Sequence, residues 1–315
     1  MTDFAGQPLT QENLDSLFEA LKPRILDFIV QQKPWLTNIF IPSPDIYRVK
    51  SDAGFMEHST CSSRDFFHRT FSEICKQIHV DERFHRKIWE WVFITHHLVA
   101  SGAVQPGKKG LVFGVGQETL PAAFAALGAS VTATDAPLAI AQGAGWTSSG
   151  EFAQGLAAMP NCALSRPEFE RLVEWRECDM NAIADEFIDY DFCWSSCCLE
   201  HLGGLRAGMD FIINSVEKTL KIGGIAVHTT EFNLSSNVDT LESGPTVLYR
   251  LRDIEDLIRE LEDRGHTVEP FRVAPDSLVI DGYVDTPPYL SSPHLKIKLG
   301  AFASTSAGLV IRRGV

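Results

Sequence analysis

The chain has 315 residues, of which 44% are hydrophobic and 22% are charged, a composition typical of a globular protein with a substantial core. Its formal net charge of −13 disfavours a nucleic-acid partner, because binding to the phosphate backbone depends mainly on Lys and Arg. No apolar run is long enough to predict a membrane span. Residues 1–15 lack the apolar segment of a secretory signal and the seven cysteines are an odd number, so we expect reduced thiols in a cytoplasmic protein.

The N-terminal third predicts an α-helical cap at residues 1–107, placed ahead of an α/β domain at residues 108–315. Apolar residues recur at helical spacing over residues 10–31, and two more helices are predicted at 63–78 and 82–100. The proline-containing stretch between the first two helices predicts irregular structure.

The helix predicted at residues 82–100 carries an unusual group of aromatic, acidic and basic side chains. Two interpretations remain open. The aromatic residues either pack the helix onto the core while its charged side faces solvent, or its polar residues line a pocket. In the second interpretation Trp89 and Glu90 contact the substrate.

The stretch at residues 110–135 predicts a strand, a glycine turn, a helix and a second strand. The first strand ends at Phe113, the turn contains Gly114 and Gly116, and the second strand ends at Asp135. Glycines let a ligand approach the backbone, and an acid about twenty residues further on suits the hydroxyls of a nucleoside ribose. The alternative is an ordinary turn in which the glycines only solve packing.

Pyrophosphate binding is disfavoured within this interpretation. The dinucleotide pattern G-x-G-x-x-G requires a third glycine where this chain has Thr119. A methyl-donor site needs only room for a sulfonium nucleoside and an acid for its ribose.

Strands and helices continue to alternate after Asp135. Buried strands are predicted at residues 173–176, 192–194 and 225–227, and helices at 204–220 and 252–264. Strands predicted at 267–273, 295–299 and 308–312 complete the chain. This alternation, with right-handed connections, predicts a doubly wound, mostly parallel α/β sheet.

Five segments in this order resemble the class I S-adenosylmethionine-dependent methyltransferases over about residues 108–313. They are FGVG at 113–116, Asp135, the pair Asp179-Met180, YDFCWSSCCLEHL at 190–202 and LKIGG at 220–224. The segments FGVG, WSSCCLEHLG and HTTE also resemble a bacterial group within that class. The resemblance implies a seven-stranded Rossmann-like sheet and S-adenosyl-L-methionine as the cofactor. It further implies donor contacts from Phe113, Gly114, Val115, Gly116, Asp135, Ala136, Asp179, Met180, Asn181, Ser195 and Ser196.

The sequence departs from the family pattern at two positions. The acid usually found two residues before the first glycine is Val112, and the third glycine position holds Glu118. Val112 removes an expected contact to the donor's amino group. Glu118 either crowds the methionine end of the donor or supplies a replacement acceptor. These departures keep open the alternative of a non-catalytic regulator that binds a nucleoside.

Methyl transfer to a hydroxyl requires alignment of donor and acceptor and removal of a proton. His228 and Glu231 follow the strand predicted at 225–227, where an open α/β sheet places its ligands. We therefore predict His228 as the base, Glu231 in support, and His201 as the second candidate; hydrogen bonding to neighbouring loops is the alternative role. His294, in the tail, is a predicted substrate contact.

The function predicted from these residues is O-methylation of a small polyhydroxylated acceptor or glycan. N- or S-methylation of a small metabolite remains an alternative. For the oligomeric state, a homodimer is left open beside a monomer. Cys193, Cys197 and Cys198 lack a separated second ligand pair, so no metal site is predicted.

Overall fold

The computed structural model describes residues 54–149 and 152–315. The helix predicted at residues 10–31 and most of the irregular stretch after it lie outside the described residues. The helices are α1 Ser63–Phe66, α2 Arg69–Gln77, α3 Arg86–Ala100, α4 Leu120–Ala126, α5 Leu138–Ala144, α6 Trp146–Ser149, α7 Arg166–Leu172, α8 Leu205–Asn214 and α9 Leu251–Asp263. Within the described ranges, no helix is both long and apolar enough to cross a membrane.

The strands form a single mixed sheet in the order β3-β2-β1-β4-β5-β9-β8-β7, with β6 also paired to β9. The strands β3, β2, β1, β4 and β5 are parallel, and β9 runs antiparallel to β5. The predicted doubly wound, mostly parallel architecture is confirmed, although the described residues contain nine strands rather than seven. The strands are β1 Lys109–Phe113, β2 Ser130–Asp135, β3 Val173–Glu177, β4 Tyr190–Ser196, β5 Leu220–Asn233, β6 Thr267–Val268, β7 Val284–Asp285, β8 Lys296–Leu299 and β9 Phe302–Arg312.

Alternate residues of the central strands enter two separate hydrophobic cores. Val112 and Trp194 face the core that contains α3 and α4, while Leu111 and Phe113 face the core of α8 and α9. Parallel strands covered on both faces must be apolar on both sides, which explains the continuous Leu-Val-Phe run of β1.

The region before residue 107 packs on the sheet through α3, which lies against β4, β5 and β9. Gly308 of β9 permits this contact, because a Cβ atom there would lie 2.2 Å from the ring of Phe93. The division into a cap at 1–107 and a domain at 108–315 stays a prediction.

The largest departure from the expected elements is the length of β5. The sequence predicts that this strand ends at Val227, whereas β5 continues to Asn233 with β9 paired along it. The predicted helix at 63–78 is divided into α1 and α2, and the strand predicted at 267–273 is limited to β6. The extra length of β5 changes the position of His228.

Candidate functional site

A cavity of about 450 Å³ opens at the carboxyl ends of β3, β2, β1 and β4. This is the edge at which open α/β sheets bind ligands. Its lining includes the following predicted site residues: Gly114, Val115, Gly116, Asp135, Ala136, Asp179, Met180, Asn181, Ser196 and His201. The structure therefore brings ten of the predicted positions to one cavity.

The glycine turn after β1 has the backbone conformation that its sequence predicts. Gly114 has φ +61° and Gly116 has φ +50°, in the left-handed region that favours glycine. A Cβ atom on Gly114 would lie 2.6 Å from Sγ of Cys198. The turn thus leaves its backbone exposed to the cavity, with Cys198 packed against it.

Asp135 ends β2 and lies beside this turn. Oδ2 accepts hydrogen bonds from the backbone N–H groups of Gly116 and Ala153, each at 3.1 Å, and Oδ1 accepts from Ala136 at 2.8 Å. Burial raises the pKa of Asp135, and the three backbone N–H groups oppose that shift. Since a carboxylate oxygen accepts more than one hydrogen bond, Oδ1 can still accept from a ligand hydroxyl.

Residues after β3 form the neighbouring wall. The backbone N–H of Asn181 donates to Oδ1 of Asp179 at 2.9 Å, and the sulfur of Met180 lies 3.8 Å from the position a Gly114 Cβ atom would occupy. Together with Ile140, these residues offer an apolar surface beside a carboxylate, which suits a flat base that bears an amino group.

Two of the predicted donor contacts lie outside the cavity lining. Phe113 is fully buried in the sheet and packs edge-on against Phe211. The hydroxyl of Ser195 hydrogen-bonds to Nδ1 of His228 at 2.8 Å, on the side of the sheet covered by α8. Both side chains pack inside the fold, and neither lines the cavity.

His228 also lies away from the cavity. Because β5 continues to Asn233, His228 is inside the sheet, paired with Ser195 of β4 and Leu309 of β9. Its Nε2 hydrogen-bonds to the hydroxyl of Ser215 at 3.0 Å, and burial lowers its pKa to about 3. With both ring nitrogens hydrogen-bonded inside the core, His228 does not fit the role of the base.

His201 lines the cavity, in contrast. Its Nδ1 is 2.7 Å from the carbonyl oxygen of Pro245 and 3.2 Å from the hydroxyl of Thr246. A carbonyl only accepts hydrogen bonds, so Nδ1 carries the proton and Nε2 of the neutral ring has the basic lone pair. The ring packs edge-on with Trp146, another lining residue.

Glu90 is the centre of a buried polar network behind the cavity and is itself fully buried. The network joins α3 to the carboxyl ends of β4 and β5 and to β9. Oε1 accepts from Ser306 at 2.5 Å and from the thiol of Cys197 at 3.0 Å. Oε2 accepts from Ser196 at 3.2 Å and from Thr229 at 3.1 Å. These four bonds occupy both carboxylate oxygens and tie α3 to the sheet. Glu90 is not among the cavity-lining residues.

Glu231 belongs to the same network. Its Oε1 is 2.5 Å from Nη2 of Arg86, and its Oε2 accepts from the hydroxyl of Ser304 at 2.5 Å. Arg86 is also 3.3 Å from Glu90. Glu231 therefore holds the guanidinium of Arg86 on the sheet. None of its hydrogen bonds among the described residues goes to His228, the residue that it was predicted to support.

The two remaining predicted substrate contacts are also internal. Trp89 is fully buried and donates its Nε1–H to Asp65 at 2.8 Å. His294 is buried beside α3, with Nδ1 2.7 Å from Asp285 and its ring stacked on His85. Neither residue lines the cavity.

Cys197, Glu200 and Glu231 place ligand-type atoms within 4.8 Å of one another. The electrostatics oppose a cation there, because the guanidinium of Arg86 already binds Glu231. The thiol of Cys197 is held by Glu90, and burial raises its pKa well above the ordinary value. This group is better described as part of the network around Glu90.

Lys87, Trp91 and Trp146 line the cavity although the sequence did not single them out as donor contacts. Trp91 is two positions after Trp89, and helical geometry turns the two indoles to different faces. The aromatic residues of α3 mark it as a helix that packs on the sheet. They do not show which of its faces contacts the sheet and which lines the cavity.

No protein-family profile matches the chain, and no curated protein matches it in sequence. Similar solved structures include magnesium protoporphyrin IX methyltransferase from Synechocystis PCC 6803 with bound SAH (14% identity, 80% of this chain and 98% of that chain covered, TM-score 0.40). Another is an S-adenosylmethionine-dependent methyltransferase from Clostridium acetobutylicum ATCC 824 (13%, 78% and 98%, TM-score 0.39). A third is a TehB-like SAM-dependent methyltransferase from Corynebacterium glutamicum ATCC 13032 (12%, 78% and 94%, TM-score 0.38). Likeness at this level of identity and TM-score says nothing about the reaction that this chain catalyses.

Proposed function

We propose that this chain is an S-adenosylmethionine-dependent methyltransferase that methylates an oxygen of a small polyhydroxylated acceptor or glycan. The observation that carries the proposal is one cavity that combines a glycine turn, the carboxylate of Asp135 and the Asp179-Met180 wall. In this proposal Asp135 accepts from the ribose hydroxyls, and Met180 and Ile140 cover the adenine. The backbone of the turn from Gly114 to Gly116 lies beside the sulfonium part of the donor.

His201 is the proposed base. Transfer to a hydroxyl releases a proton, and a neutral imidazole with Nδ1–H held by a carbonyl is able to accept it on Nε2. Pro245 supplies that carbonyl, at 2.7 Å. Trp146, packed against the same ring, offers an aromatic face suited to a sugar ring.

Donor binding is tested by calorimetric titration with S-adenosylmethionine and, separately, S-adenosylhomocysteine. Asp135→Asn removes a charged acceptor, worth roughly 1.5–3 kcal/mol for a hydrogen bond to an ionised group, so we expect about tenfold to hundredfold weaker binding. Asp263→Asn, on an exposed position of α9, is the control and leaves the affinity unchanged. No binding of either nucleoside to the wild-type chain would refute the proposal.

The base is tested separately by turnover. His201→Ala is expected to retain donor affinity and to lose about 10²- to 10⁴-fold in rate on a hydroxyl acceptor. An undiminished rate would point instead to an acceptor nitrogen or sulfur that needs no base. Donor binding without turnover on any acceptor would favour a nucleoside-binding regulator.

A further inference from the structure

The cavity has two ends, because its lining residues follow strands at different positions in the sheet. Asp135 and Asp179 lie after β2 and β3, whereas Glu118 follows β1 and lies towards β4. Lys87 and Trp91 come to this second end from α3, which packs on β4. The proposed contacts to the ribose and adenine leave these three side chains unused.

Glu118 is an acidic group buried within this second end. It is 4% exposed, and its Oε1 accepts from the indole N–H of Trp194 at 2.7 Å. The sheet position two residues before the first glycine is Val112, which is fully buried among apolar side chains. Glu118 is therefore the carboxyl group that lines this second end of the cavity, where Val112 offers none.

Groups that suit an anion lie beside Glu118. The Nζ of Lys87 donates to the carbonyl of Ser196 at 2.9 Å and is 3.4 Å from Glu90, which leaves a third N–H for a ligand. The buried Nε1–H of Trp91 is directed towards Glu118 and lowers its pKa, but it meets no partner among the described residues at good hydrogen-bond geometry. A buried donor whose hydrogen bond is poorly formed is costly, and a bound carboxylate would satisfy it better.

We propose that Glu118, Lys87 and Trp91 form a subsite for a zwitterionic α-amino acid group. Glu118 binds the ammonium, and Lys87 with Trp91 binds the carboxylate. The inference rests on the proposed function, because the group that reaches this end is the amino acid portion of S-adenosylmethionine. Position 112 holds Val in place of the expected acid. Glu118, on the other side of the glycine turn, supplies the carboxyl group instead.

A proton accompanies this binding. Burial raises the pKa of Glu118 to about 8. The hydrogen bonds from Trp194 and Trp91 and the charge of Lys87 oppose that shift only in part. The carboxyl is therefore mainly protonated at pH 7 before a ligand binds. An ammonium beside it favours the ionised form, so binding of the zwitterion releases a proton to the buffer.

The test compares two nucleosides that differ in this group. S-adenosylhomocysteine carries the amino acid portion, and 5′-methylthioadenosine lacks it. For Glu118→Gln we expect at least tenfold weaker binding of S-adenosylhomocysteine and less than twofold change for 5′-methylthioadenosine. Glu73→Gln, on an exposed position of α2, is the matched control and changes neither affinity.

Titrations at pH 7 in two buffers of different ionisation enthalpy provide the second measurement. We expect close to one proton to be released when S-adenosylhomocysteine binds the wild type. No proton release is expected when it binds Glu118→Gln or when 5′-methylthioadenosine binds.

An unchanged ratio of the two affinities in Glu118→Gln would overturn the subsite while leaving the methyltransferase proposal intact. If neither nucleoside binds the wild type, the proposed function itself fails and the subsite with it. Should Glu118→Gln fail to fold, Lys87→Gln decides by the same ratio of affinities.

Discussion

The stability of the junction between α3 and the sheet depends on the charge of Glu90. Burial on its own raises the pKa of this carboxyl, but the charges of Lys87 and Arg86 and the hydrogen bonds from Ser306 and Cys197 outweigh burial and bring the pKa from 4.5 to about 2. At 1.36 kcal/mol per pKa unit, this lowering corresponds to about 3 kcal/mol of folding free energy at neutral pH. Glu90→Gln keeps the size of the side chain and removes the charge, so we expect the free energy of unfolding to fall by about that amount.

Urea unfolding of the wild type and Glu90→Gln, followed by circular dichroism, measures the difference. A lowered pKa gives stability that is present above the unfolded-state value of 4.5 and is lost as pH falls towards 2. The difference is therefore constant from pH 8 to about 5.5 and shrinks below 4.5. Glu73→Gln is the control, because its ion pair with Arg69 is exposed and contributes less than about 1 kcal/mol. A difference below 1 kcal/mol at pH 7, or one that does not change at acidic pH, would refute the reasoning.

Three further predictions concern Gly114, His228 and Glu118, and Gly143→Ala serves as the control for the first. Gly114→Ala should lose roughly 1–2 kcal/mol to left-handed backbone strain alone and should weaken donor binding, whereas Gly143→Ala, with no atom within 4 Å of its new Cβ, should keep or slightly raise the melting temperature. His228→Ala should lower the free energy of unfolding by about 2–4 kcal/mol and leave kcat of the folded protein within severalfold. Because its pKa is raised to about 8, Glu118 should make the ligand-free protein less stable as pH rises from 4.5 to 8, and Glu118→Gln should abolish that part of the pH dependence in thermal unfolding.

The end of the cavity lined by the glycine turn and Asp135 could be predicted from the sequence, because the residues that form it are close together in the chain. Residues 110–135 contain a buried strand, a turn that requires glycine, a helix and an acid at the end of the next strand, all within one unit. Hydrophobic periodicity and backbone conformation fix such a unit with little help from the rest of the chain. The turn, Asp135 and the wall at Asp179 accordingly lie where the pattern predicts.

The end of β5 could not be predicted in this way. Residues His228 to Asn233 are polar or mixed, which suggests a loop after the apolar run that ends at Val227. Pairing with β9, more than seventy residues later in the chain, extends the strand through them. His228 consequently lies inside the sheet, and strand alternation sends Thr229 and Glu231 to the opposite face.

The network around Glu90 depends on contacts even more distant in sequence. Its bond to Ser306 joins positions 216 residues apart, and no spacing rule connects them. The residue types on α3 mark Glu90 as unusual and suggest a contact with the substrate. Its hydrogen-bond partners come from β4, β5 and β9 and the turn after β4, so only the three-dimensional structure shows that the carboxylate is already bound.

Helix α3 limits how this protein could be re-engineered. One side of the helix supplies Lys87 and Trp91 to the cavity, and another supplies Arg86 and Glu90 to the network that anchors it. Its fit on β9 further depends on the missing side chain of Gly308. An exchange of the segment before residue 107 for that of another protein would therefore remove part of the cavity wall and the anchor together. Attempts to change the acceptor have better prospects at Trp146 and Leu202, which line the cavity from outside this helix.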